Sequence, residues 1–139
     1  MRNKLLLPLC LLLSACALFQ RSFRPTHAPP EEAVQILFPL ELPSEGRQII
    51  RGPMAAAIQL AMDDFLPRDV QPHRGATPEE VCLYQRDSYD VFAAPGSEGV
   101  MLVNIVLSPQ ACKMNGPSLD AEATYAVDVR KWRILAIKR

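Results

Sequence analysis

Four cysteines, two histidines and a scatter of acids are the residues of this chain that could do chemistry. Cys82 and Cys112 lie thirty residues apart and bring no nearby histidine, so the close ligand spacing of a zinc site is missing. His27 and His73 each stand away from any candidate nucleophile in sequence. A serine–histidine–acid triad assembles in space rather than in sequence. The Gly-x-Ser-x-Gly elbow that carries many such serines is nevertheless absent. So are a phosphate loop, a dinucleotide fingerprint and a His-Glu-x-x-His helix. Asp63, Asp64 and Asp69 invite a metal cluster, but adjacent acids near a helix end do not converge on one point, and a solvated face is the plainer reading. Asp87 and Asp90 could serve as a hydrolase pair. Their spacing sets them on opposite faces of a strand, where they would not cooperate. These absences predict no catalytic residue, no cofactor and no metal, and a protein that is not an enzyme.

The remaining chemistry is covalent and lies at the start. Arg2 and Lys4 precede an apolar run from Leu5 to Leu13, and Leu13-Ser14-Ala15-Cys16 follows. A positive start, an apolar stretch and small residues before a cut are the parts of a secretory signal. A transmembrane anchor needs about twenty apolar residues. The run from Leu5 to Phe19 is shorter and is broken by Pro8. Leu13-Ser14-Ala15-Cys16 resembles the lipobox of bacterial lipoproteins. That resemblance implies cleavage before Cys16, a diacylglyceryl group on its sulfur and acylation of the new amino terminus. Ala17 follows the cysteine, where in Gram-negative lipoproteins an aspartate favours inner-membrane retention. The resemblance therefore implies the outer membrane as the resting place in such a cell envelope. Three acyl chains far exceed the single chain that binds a membrane only marginally.

Removal of residues 1–15 leaves 124 residues (139 − 15), one domain's worth. It also removes Arg2 and Lys4 and no acid, leaving 13 basic and 15 acidic side chains, a net charge of −2 (13 − 15). Nucleic-acid binders show a basic face, so this balance argues against nucleic acid. Thirteen prolines argue against long uninterrupted helices. After processing, Cys10 is gone and Cys16 carries lipid. Cys82 and Cys112 remain as an even pair in an exported chain, which predicts one disulfide.

The elements that must position these residues follow from pattern. Residues 16–30, with Pro25, Pro29 and Pro30, read as a semi-rigid tether. A single domain is expected over 31–139. Pro30, Glu31 and Glu32 open a short helix predicted over Glu31–Phe38, stopped by Pro39. Pro53 to Leu66 is the clearest helix, with Met54, Ile58, Ala61 and Phe65 on one stripe widened by Ala57 and Met62. Thr77-Pro78-Glu79-Glu80 has the form of a capping box and predicts one helical turn before Cys82. Cys82–Ala93 and Val100–Leu107 read as strands of a hairpin about Pro95-Gly96-Ser97-Glu98-Gly99. A turn centred on Ser97 sets Cys82 opposite Cys112 and gives one apolar face: Leu83, Tyr89, Val91, Met101, Val103, Ile105 and Leu107. A second hairpin, Ala123–Val129 and Trp132–Ile137, turns at Arg130-Lys131.

The expected fold is α+β: one main helix packed on a four-stranded antiparallel sheet, with one disulfide. This order of elements is similar to cystatin-like and NTF2-like rolls. The expected function is a non-catalytic binding or assembly module, of which inhibitor and immunity proteins are one kind. It is held at the envelope by its N-terminal lipid and contacts a protein or envelope partner. Arg86, Asp90 and Asn104 are the candidate contacts, together with loop 109–120. The alternative is a roll that binds or hydrolyses a small ligand in a pocket between helix and sheet, lined by Tyr84, Tyr89, Phe92 and Trp132.

Overall fold

The computed structural model describes residues 25–109, 111–113 and 122–139. The signal segment, the lipobox and the first part of the tether lie outside the described residues, as do residues 114–121 of the loop before the last hairpin. The chain divides into two units, Met1–Leu42 and Pro43–Arg139.

Within the first unit, helix α1 covers only Pro30–Ala33, shorter than the predicted Glu31–Phe38. Proline at its first position and two acids in the first turn start it as expected. Val34, Ile36 and Leu37 are exposed, so the apolar stripe beyond Ala33 gains nothing from burial. One turn without a buried face does not propagate.

The second unit holds α2 (Gly52–Phe65), α3 (Pro78–Leu83), a 3₁₀ turn (Arg86–Ser88) and four strands: β1 (Tyr89–Pro95), β2 (Val100–Leu107), β3 (Glu122–Asp128) and β4 (Arg133–Lys138). The strands form one antiparallel sheet in the order β1-β2-β3-β4. The architecture is α+β. Among the described residues no helix is long and apolar enough to cross a membrane.

The core lies between α2 and one face of the sheet. Ala57 and Ala61 are fully buried, as are Val103, Ile105, Ala123, Tyr125 and Val127. Two small residues one turn apart let the helix axis approach the sheet closely, and Met54, Ile58, Leu60 and Phe65 close its flanks. Phe65 meets the Tyr89 ring edge-on, with centroids 5.0 Å apart.

The first hairpin differs from expectation at its open end. The capping box of Thr77 and Glu80 forms in both directions, and the helix it starts runs on through Leu83. Cys82 is therefore helical, and β1 begins only at Tyr89. Asp87 lies in the 3₁₀ turn, so strand parity does not govern it. The turn is centred on Glu98 rather than Ser97: Tyr89 faces Leu107, Val91 faces Ile105 and Ala93 faces Val103. Moving the turn centre by one residue slides the pairing by two, which leaves Tyr89, Val91, Met101, Val103 and Ile105 on the face packed against α2, while Leu83, expected on that face, lies in α3. The Cys82–Cys112 disulfide forms, with Cα atoms 5.8 Å apart. It joins α3 to the loop after β2 instead of bridging the ladder.

The β1–β2 and β3–β4 turns each end on a residue with positive φ, Gly99 at 76° and Trp132 at 50°. At Gly99 the positive φ is what calls for glycine: a Cβ there would lie 2.8 Å from Nε of Arg130, but that exposed side chain can move aside.

Candidate binding surface

The three candidate contact residues do not form one site. Arg86 is turned to the end of α2. Its Nε and Nη2 donate to the carbonyl oxygen of Leu66 at 3.0 and 2.7 Å, and Nη2 also donates to Oδ1 of Asp63 at 2.7 Å. A helix leaves its last carbonyls without partners. No glycine follows α2, and Pro67 blocks the usual left-handed cap, so the guanidinium takes that role. Its side chain is only 23% exposed. The signal was hidden in sequence, because Arg86 stands twenty residues from Leu66.

Asp90 and Asn104 lie on the sheet face turned away from α2. Asp90 is exposed opposite Val106, and its carboxylate has no partner among the described residues. The Asn104 amide donates to Oγ1 of Thr124 at 2.9 Å and to Oε1 of Glu122 at 3.2 Å. These bonds form a polar ladder across β2 and β3. Beside it, Phe92 and Leu102 remain 62% and 42% exposed. Their positions, opposite Asn104 and Ala94, make them diagonal neighbours on this face.

The aspartates near the end of α2 separate. Asp63 pairs with Arg86 and Arg68. Asp64 accepts from the Tyr125 hydroxyl at 3.1 Å. Burial, and then the neighbouring Asp64, push the Tyr125 phenol above its ordinary value. Among the described residues no three His, Cys, Asp or Glu side chains gather as metal ligands. His73 sits 3.6 Å from Glu80, the acid of the capping box. The Arg74 carbonyl and then Glu80 raise the imidazole's pKa, while the Thr77 N–H lowers that of Glu80.

The four aromatics do not line one pocket. Tyr89 packs in the core, and its hydroxyl donates to the Leu83 carbonyl at 2.8 Å. Phe92 points out from the opposite face. Tyr84 ends α3 and is exposed. Trp132 stands at the β3–β4 turn and walls an open groove of about 240 Å³ with Ala56, Gln59, Leu60 and Asp63 of α2.

That turn is built from its own residues. Oδ1 of Asp128 accepts from the N–H groups of Arg130 and Lys131 at 2.9 and 3.1 Å, which holds the Asp128 carboxyl below its ordinary range. The Arg130 guanidinium reaches Glu98 on the neighbouring turn. A bulky residue with positive φ is strained. Sequence reading placed Trp132 in a strand, and only the completed turn reveals the position.

Comparison with protein-family models, with curated proteins and with solved structures returned no match.

Proposed function

We propose that this chain is a lipid-anchored protein of the bacterial cell envelope whose domain is a non-catalytic binding or assembly module. The lipobox at Leu13–Cys16 supports the anchor and the outer membrane as its place. The observation that carries the module reading is where the apolar side chains lie. The space between α2 and the sheet is filled by fully buried residues, while Phe92, Leu102, Leu135 and Ile137 stay exposed on the hydrogen-bonded sheet. A filled interior leaves recognition to the surface, and a rigid sheet displays its groups at little cost in order. The element order is similar to cystatin-like and NTF2-like rolls, and domains of that shape act by occlusion as inhibitors or immunity proteins. Of the four aromatics only Trp132 lines the open groove beside α2, so they do not make the shared pocket of the alternative reading.

The test is affinity purification of the native lipidated protein from membranes, with mass spectrometry of bait and prey. The expected bait begins at an acylated Cys16 and carries the Cys82–Cys112 bridge, and a stoichiometric protein partner accompanies it. A bait recovered alone, or with a bound small molecule, overturns the module reading. A Cys16→Ala protein that still fractionates with membranes overturns the lipid anchor.

A further inference from the structure

The sheet has two edges, and they are finished differently. β1 ends on Pro95, which has no N–H to offer an incoming strand. β4 contains no proline, and its one irregularity, the extra residue Leu135 between the partners of Ala126 and Val127, leaves the Ala136–Lys138 end regularly paired. One hydrogen bond fixes the direction of its backbone groups. The Val129 N–H donates to the Gly99 carbonyl, so odd residues of β3 address β2 and even residues address β4. Ala136 and Lys138, opposite Ala126 and Thr124, therefore direct their backbone groups to β3. Ile137 between them turns its N–H and C=O to the open edge.

The charge on this edge has one sign. Residues 130–139 include Arg130, Lys131, Arg133, Lys138 and Arg139 and no acid, and all five are exposed. Arg130 is matched by Glu98 and Arg133 by Asp128. Lys131 and Lys138 have no acidic partner among the described residues. Trp132, Leu135 and Ile137 stand among these cations, each 42–48% exposed.

We propose that β4 is a docking edge for an extended, acidic segment of a partner protein, which adds to the sheet as a fifth strand. This rests on the binding-module reading and narrows it to one edge and one class of partner. Ile137 supplies backbone hydrogen bonds, Lys131 and Lys138 meet carboxylates of the incoming strand, and an apolar residue seats against Trp132 in the groove beside α2. A second copy of this chain does not fit. Antiparallel β4–β4 pairing about Ile137 would make the two Lys138 side chains diagonal neighbours, with no acid on either strand. An anionic lipid surface would satisfy the charge but leave the open backbone groups unused.

Trp132 is the one tryptophan of the chain, so its emission reports from this edge. The disulfide-bonded protein is titrated at low salt with a short alternating glutamate–valine peptide. The same peptide N-methylated along one edge and an alternating lysine–valine peptide serve as comparisons. The expected result is a saturable emission change with the first, and affinities at least roughly ten-fold weaker for the other two. The double variant Lys131→Glu, Lys138→Glu should keep its circular dichroism and reverse the charge preference. Equal binding of the N-methylated peptide overturns the inference. So does a response confined to vesicles of mixed phosphatidylglycerol and phosphatidylcholine. An envelope partner that stays bound to the double variant sinks the β4 edge while sparing the module reading. A membrane bait without any partner sinks the module reading itself.

Discussion

Arg86→Met separates a helix cap from a contact residue. In the wild type the guanidinium makes two hydrogen bonds to the Leu66 carbonyl and one to Asp63. A hydrogen bond to a charged group contributes about 1.5–3 kcal/mol net. The ion pair adds little, since Asp63 is 44% exposed and keeps Arg68 as a partner. Methionine matches the length of the stem, so packing is largely kept, and the entropy regained by freeing the side chain offsets part of the loss. The net destabilisation should be about 2 kcal/mol. For a unit spanning Pro43–Arg139 this corresponds to a fall in Tm of roughly 10 °C. The assay is urea unfolding followed by circular dichroism on the disulfide-bonded protein, with amide exchange read along α2. Exchange should rise selectively in the last turn, where the cap is lost. A double-mutant cycle with Asp63→Asn should give a coupling below about 1 kcal/mol, placing most of the effect on the carbonyl. A loss under about 0.5 kcal/mol, or exchange that rises evenly along the helix, would refute the cap and return Arg86 to the surface.

Reduction of the Cys82–Cys112 bridge should cost about 3.5 kcal/mol in the chain-entropy account, for a loop of 30 residues. The double variant Cys82→Ser, Cys112→Ser should unfold like the reduced wild type, and identical midpoints with and without reductant would contradict this. Ala61→Leu forces extra methylenes between α2 and the sheet and should destabilise by about 1–3 kcal/mol in the same urea assay; an unchanged midpoint would mean the interface has slack. The pH dependence of His73 has a definite sign. Its folded pKa is raised, first by the Arg74 carbonyl and then by Glu80, so its contribution to stability is complete below the ordinary imidazole value. That contribution fades as pH rises through the raised value. Proton NMR should show a midpoint above the ordinary value that falls in Glu80→Gln; no movement in that variant would refute the pairing. Spectrophotometric titration should find Tyr89 and Tyr125 ionising above the usual tyrosine range, because burial penalises the phenolate in both.

What local pattern dictates, the chain states by itself. The apolar stripe of α2, the capping box at Thr77, the alternation along β2 and β3, and the turn residues at Gly96–Gly99 act over a few neighbours, and each element forms where its pattern lies. The disulfide was legible on the expectation that Cys10 leaves with the signal and Cys16 carries lipid, which pairs Cys82 with Cys112. Contacts between distant segments were beyond it. That Cys82 is helical follows from the capping box outrunning a weak strand pattern. That Arg86 closes α2 follows from the 3₁₀ turn bringing it to Leu66. That Trp132 carries positive φ follows from where Asp128 and Arg133 pair, which fixes the residue ending the turn. That β4 is an edge is a property of the strand order. A sequence period records which face of an element is apolar. It does not record which element meets that face, or which polar group a fold leaves without a partner, because those are settled only when the whole sheet has closed on its helix.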